Sequence, residues 1–119
     1  MSSIQGIVNS LKEVPGVKGA ALVTGDGIVV ASALGRELNS EVVAGLASFL
    51  ITTTRRSLQE GRFGKFKRFM IQATNGKLLL LDLGESFLIV QTDQFARLSD
   101  SRAEVDAAAE ALQSLSRME

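Results

Sequence analysis

The 119-residue sequence predicts an α/β (α+β) fold, a three-layer α/β/α sandwich around a five-stranded antiparallel sheet, with elements in the order α-β-β-α-β-β-β-α. Three patterns predict it. Short turns at 25–27 (Gly-Asp-Gly) and 75–76 (Asn-Gly) each join two strand-like segments, and strands joined so closely run antiparallel. Segments 78–81 and 87–90 are apolar at every position, which is typical of strands covered on both faces. A long segment with helical periodicity, 40–60, lies between the two turns.

The individual elements follow from local signals, and together they form one domain over 1–119. The first helix is predicted at 3–13, because Ile4, Ile7, Val8 and Leu11 have the i, i+3, i+4, i+7 spacing of one helical face. Pro15 and Gly16 end it. Strands are predicted at 17–24, 28–34, 67–74, 77–83 and 87–93, and the last helix at 98–118.

The helix at 40–60 is apolar over an unusually wide arc. At about 100° per residue, its apolar side chains sweep roughly 200°: Phe49, Val42, Leu46, Leu50, Val43, Ala47, Leu58 and Ile51. A helix that lies on one sheet needs only about half that width. The arc therefore favours burial of one side on the chain's own sheet and of another side on a second subunit. The alternative is that a loop or another helix of the same chain covers the second side.

Composition argues against catalysis. The sequence has no His, Cys, Tyr or Trp, so most general bases, nucleophiles and transition-metal ligands are missing. We therefore expect a non-enzyme with no catalytic residues, no cofactor and no metal site. No apolar run approaches the roughly 20 residues that span a bilayer, and the first residues lack the features of a secretory signal. We expect a cytoplasmic protein with no membrane contact.

Two glycine-containing segments superficially resemble nucleotide motifs. The Gly-Asp-Gly at 25–27 leads into a strand, whereas a dinucleotide site needs a helix N-terminus there. The segment 61–66 follows a helix and has Phe66 where a phosphate loop needs Ser or Thr. Both are interpreted as turns or loops. Asp82, Glu85 and Asp93 are interpreted as solvated turn residues.

Charge is unevenly distributed although the net charge is zero. Residues 55–68 contain six bases and one acid, while 82–119 contains eight acids and three bases. Three phenylalanines lie within this segment or directly after it: Phe63, Phe66 and Phe69. Three interpretations remain: solvated bases beside a strand that enters the core, a patch for a protein partner, or a nucleic-acid site that grips by charge and stacking. Nucleic acid is the least favoured, because a neutral chain has little overall field to hold phosphates.

Three segments, in this order, resemble the roadblock / dynein light-chain family: VPGVKGA at 14–20, GDGIVVAS at 25–32 and NGKLLL at 75–80. The resemblance covers nearly the whole chain. It implies a homodimer in which the second helix pairs with its mate and the third strands join edge to edge into one sheet.

The resemblance also implies function. Bacterial members of the MglB type are GTPase-activating partners of a Ras-like GTPase that supply no catalytic arginine, and other members are scaffolds without effect on hydrolysis. The chain is thus expected to bind and regulate a Ras-like small GTPase; the alternatives are a scaffold subunit and, more remotely, a nucleic-acid module. The residues expected to form the dimer or partner interface are Val42, Val43, Leu46, Phe49, Leu50, Arg55, Arg56 and Met70.

Overall fold

The computed structural model describes residues 3–117, which form three helices and five strands. In chain order these are α1 Ile4–Ser10, continued by a 3₁₀ turn at Leu11–Glu13, then β1 Val17–Thr24, β2 Val29–Ser32, α2 Ser40–Glu60, β3 Arg68–Ala73, β4 Gly76–Asp82, β5 Ser86–Thr92 and α3 Leu98–Arg117. The predicted order of elements is confirmed. The predicted end of the last helix, Met118, lies outside the described residues.

All five strands pair antiparallel in the spatial order β2-β1-β5-β4-β3. The central strands β5 and β4 are the two segments that the sequence predicted to be covered on both faces, and every residue of β5 is buried. Two apolar layers explain this burial. α1 and α3 cover one face, where Leu88 and Leu112 are fully buried, and α2 covers the other face, where Phe87 and Ile51 meet.

The helix ends show why α2 has the predicted bounds. The Asn39 side chain accepts hydrogen bonds from the backbone N–H groups of Glu41 and Val42 at 3.0 and 3.1 Å. Such a cap satisfies amides that a helix N-terminus leaves without partners. The helix ends at Gly61, which follows its last residue, Glu60.

The two hairpin turns differ in where they require glycine. In the first hairpin only Gly27 has a positive φ, 90°, whereas Gly25 does not. In the second, Ala73 pairs with Gly76, so the turn residues are Thr74 and Asn75, one position earlier than predicted. Gly76 belongs to β4, where a Cβ would lie 2.7 Å from the carbonyl oxygen of Thr92. Close strand approach, not a left-handed turn, requires glycine at this position.

The two edges of the sheet differ. β2 has four residues, and its pairing with β1 shifts between Leu22 and Val23, which marks a bulge. β3 has six residues in continuous register with β4 from Arg68 to Ala73. Bulges and short strands discourage further pairing. The β3 edge is therefore the one that is suited to accept another strand.

Candidate partner interface

The outward face of α2 carries three exposed apolar side chains. Val42, Leu46 and Phe49, at i, i+4 and i+7, are 67%, 49% and 67% exposed. We call these three residues the α2 stripe. At about 100° per residue, the α2 stripe lies roughly 150° around the helix from the residues buried on the sheet, which are Val43, Ala44, Ala47 and Ile51. The wide apolar arc thus consists of a sheet-facing half and an exposed half.

This arrangement bears on two predictions, the coverage of the second side of α2 and the place of Val43. Within residues 3–117 no loop or helix of the chain covers the α2 stripe, so the same-chain alternative is wrong for the described residues. Val43, which was predicted as an interface residue, is 7% exposed and packs in the core between α2 and the sheet. Leu50 is half-buried at the border between the two halves.

Arg55, predicted at the interface rim, is engaged within the chain. Its guanidinium forms an ion pair with Asp82 at the end of β4, and its Nη2 also donates to the Gly84 carbonyl at 3.1 Å. The Gly84 N–H donates to the Asp82 carboxylate at 2.9 Å. The interpretation of Asp82 as a solvated turn residue is therefore wrong, because this carboxylate ties the end of α2 to the β4–β5 turn. Arg56 is exposed.

Met70 lies on the opposite side of the sheet from the α2 stripe. It pairs with Leu79, whose side chain belongs to the core layer under α3. Beside it, the Arg68 guanidinium donates to Asp106 of α3 at 2.7 Å. The predicted interface residues therefore fall into two groups: the α2 stripe, and Met70 at the β3 edge.

The segment 61–69, which follows α2, contains three phenylalanines in three environments. Phe66 is buried, and Phe69 is half-buried against the core, as expected for a chain that enters a strand. Phe63 is 84% exposed. Only one aromatic ring of the segment is therefore available for stacking on bases.

The end of α2 is a Schellman motif with an unusual residue. The Phe63 N–H donates to the Leu58 carbonyl at 2.8 Å, and the Arg62 N–H donates to the Gln59 carbonyl at 3.1 Å. Glycine usually occupies the left-handed position of this motif. Here Arg62 occupies it with φ 55°, at a local cost of about 1–2 kcal/mol.

A polar network at the other end of the sheet escaped the sequence analysis. Gln91 donates to the Glu37 carboxylate at 2.7 Å and accepts from the Gly35 N–H at 2.9 Å. The backbone N–H of Glu37 and then the Gln91 amide lower the pKa of this carboxyl, and Lys18 adds a smaller effect in the same direction. The network fixes the loop before α2 to β5. Its signal was a glutamine directly after the apolar residues 87–90.

Two further findings concern metal ions and membrane spans. Within residues 3–117, no three Asp or Glu side chains converge as a metal ion would require. No helix in this part of the chain is both long and apolar enough to cross a bilayer.

Comparison with known proteins identifies the family. A family model described as the Roadblock/LC7 domain matches residues 4–92. The chain belongs to the Roadblock/LC7 family. This Roadblock/LC7 protein is 32% identical over 112 residues to the uncharacterized protein MJ1340 of Methanocaldococcus jannaschii, covering 94% of this chain and 98% of that protein. The uncharacterized protein MJ0310 of the same organism is 31% identical over 112 residues, with the same coverage. The resemblance inferred from the sequence is confirmed.

Solved structures show the same fold. Myxococcus xanthus MglB matches this Roadblock/LC7 chain with a TM-score of 0.89 and 17% identity, over 98% of this chain and 96% of MglB. A Roadblock/LC7 domain from Streptomyces avermitilis matches with a TM-score of 0.85 and 20% identity, over 96% and 98% of the two chains. The region matched by the family model contains α2 and β3, whereas α3 lies beyond it.

Proposed function

We propose that this Roadblock/LC7 protein is a cytoplasmic, non-catalytic homodimer that binds a Ras-like small GTPase and accelerates its GTP hydrolysis. The observation that carries the proposal is the α2 stripe, an apolar surface on an ordered helix that the described residues leave exposed. Contiguous exposed apolar surface of this kind marks interaction sites. Family membership and the fold shared with MglB direct the choice of partner.

The homodimer accounts for both groups of predicted interface residues. A two-fold interface brings the same patch of each copy together, so the α2 stripe of one copy packs on that of the other. The β3 edge, with regular register and no bulge, allows the strands of two copies to pair as the family resemblance implies. Met70 then lies beside that seam, on the face opposite α2. The dimer leaves the β2 edge outside, where Gln5 of α1 already donates to the Ser32 carbonyl at 3.1 Å.

The contacts of Arg55 at the end of α2 argue against its use as an arginine finger. Arg55 is bound to Asp82 and Gly84, so its guanidinium would have to break these contacts before it reached a GTPase site. Stimulation would instead come from reshaping of the GTPase's own site. The alternative is a scaffold that binds the GTPase and leaves hydrolysis unchanged.

Binding to a Ras-like GTPase encoded in the same genome tests the proposal. The GTPase is loaded in turn with GDP and with a non-hydrolysable GTP analogue, and binding and single-turnover hydrolysis are measured. We expect selective binding of the GTP form and faster hydrolysis. Phe49→Glu places a charge in the α2 contact between the two copies and should abolish both by dissociating the dimer. Lys12→Gln, at an exposed position in the other helical layer, should leave both unchanged. Binding without acceleration would support the scaffold, and binding to neither form would contradict the proposal.

A further inference from the structure

A cationic groove lies beside the end of α2, away from the α2 stripe. It has a volume of about 730 Å³ and is bounded by the last turn of α2, the loop 61–67 and the β4–β5 turn. Arg62, Lys65 and Lys67 line it, and the buried Phe66 also contributes to the lining. Among the described residues Asp82 is the only carboxylate of the lining, and it forms an ion pair with Arg55. The groove is therefore cationic, with an apolar part.

Two residues of the loop 61–67 are in arrangements that are unfavourable for the single chain. Arg62 holds a left-handed conformation at a position where glycine is preferred. Phe63 follows the helix end, where an apolar side chain usually packs back on the last turn, yet it is 84% exposed. A bound partner would make use of both: a cation that lines the groove, and an exposed aromatic ring on the residue between Arg62 and Gly64, which both line it. Residues that break local rules are the ones expected at functional sites.

We propose that this groove binds an acidic peptide segment of a partner protein, with one apolar side chain of the peptide seated against Phe63 and Phe66. Charge complementarity selects carboxylates for the walls formed by Arg62, Lys65 and Lys67. The volume is within the range of pockets that hold a few side chains. This site goes beyond the proposed binding of a GTPase and does not depend on it.

Other anionic partners fit the groove less well. A bilayer contacts a protruding surface, whereas these cations line a concave one with Asp82 in its wall. Single-stranded nucleic acid is held by successive stacked bases, and Phe63 is the one exposed ring of the segment because Phe66 is buried. A peptide can place charges along the walls and an apolar side chain inside.

A labelled heptapeptide tests the site on the full-length protein by fluorescence anisotropy. The probe has one Phe flanked by three acidic residues on each side, and a second probe replaces every acid by its amide. We expect the amide probe to bind about tenfold more weakly or worse, because exposed ion pairs each contribute a few-fold in affinity. Arg62→Gly/Lys65→Gln/Lys67→Gln should weaken the acidic probe to a similar degree. Phe63→Ser should weaken it about threefold or more, while Lys12→Gln should bind as the unchanged protein does.

Arg62→Gly by itself separates binding from structure. Glycine suits the left-handed position, so this variant should unfold at a higher temperature and yet bind the acidic probe more weakly. A structural role alone would not move the two properties in opposite directions. Equal binding of the acid and amide probes would overturn the proposal. Tighter binding to phosphatidylserine vesicles or to single-stranded DNA would also overturn it. A changed solution mass of Phe63→Ser would overturn it as well, because it would assign the loop to a contact between copies.

Discussion

Leu46→Glu is the most direct test of the α2 stripe as the contact between copies. Val42, Leu46 and Phe49 are 67%, 49% and 67% exposed in the single chain. Counted over two copies, this is the area of between three and four fully exposed side chains. At about 1.5–3 kcal/mol for each buried side chain, its burial contributes about 5–11 kcal/mol. Association itself costs about 4–15 kcal/mol, a range that overlaps this gain, so burial of the α2 stripe leaves no large surplus and the dimer is sensitive to one substitution.

The substitution acts twice, because a two-fold interface contains each residue in both copies. Losing the burial of a half-exposed leucine in each copy removes about 1.5–3 kcal/mol. Two glutamates brought close together in a partly dry interface add repulsion and desolvation. A total above about 3 kcal/mol corresponds to more than a hundredfold in the dimer dissociation constant. We therefore expect Leu46→Glu to be a monomer at micromolar concentration.

Sedimentation velocity measures the outcome. The unchanged protein should sediment with twice the mass of one chain, which is 12.7 kDa. Leu46→Glu should sediment with the mass of a single chain. Its circular dichroism should stay native, because Leu46 is half-exposed in the chain and Glu suits a helix about as well as Leu does. Thr52→Glu adds the same charge at an exposed position of α2 outside the stripe and should remain a dimer. A dimeric Leu46→Glu protein would refute the assignment of this face.

Three further expectations concern stability. Glu37→Gln should lower the thermal midpoint at pH 7, because folding lowers the pKa of the Glu37 carboxyl. The stability that this carboxylate contributes is therefore present above its ordinary pKa of 4.5 and is lost as the pH falls through the lower pKa of the folded state. The difference from the unchanged protein should thus shrink in scans at decreasing pH below about 4.5, and a constant difference would contradict the linkage. Arg55→Gln should cost about 1–3 kcal/mol in urea unfolding, because it leaves Asp82 half-buried with fewer donors; a double-mutant cycle with Asp82→Asn that gives no coupling would show that the pair is not formed. Gly19→Ala should destabilise the fold by about 1–3 kcal/mol, because the added Cβ would lie 2.5 Å from the Ala33 carbonyl oxygen. Gly45→Ala should stabilise the fold by about 0.5–1 kcal/mol, because a Cβ at this position of α2 would meet open space.

Local sequence patterns were sufficient for the elements of the fold. The bounds of α2 and β1 agree with the prediction residue for residue, since the Asn39 cap, Gly61 and the turn at 25–27 act within a few residues of the ends that they define. The apolar segments that became β4 and β5 predicted their own central position, because a strand without polar residues is stable only between two layers.

The site was predicted less completely because it depends on distant parts of the chain. The apolar arc predicted a second apolar face on α2, beyond the one that lies on the sheet. Whether Val42 or Val43 faces the sheet depends on how the helix is rotated on β1 and β5, and that is set by packing. Met70 was placed on the correct strand, but its face follows from the register with Leu79.

The sequence by itself thus determined the order and type of the elements, the family and the presence of an apolar surface beyond what one sheet can bury. Only the tertiary structure decided that Arg55 meets Asp82, that the β3–β4 turn lies at Thr74 and Asn75, and that a cationic groove forms beside Phe66. The physical reason is the separation along the chain of the residues that interact. Caps, turns and periodicity act over a few residues, whereas the Arg55–Asp82 pair joins positions 27 residues apart, which only the folded sheet and its helices bring together.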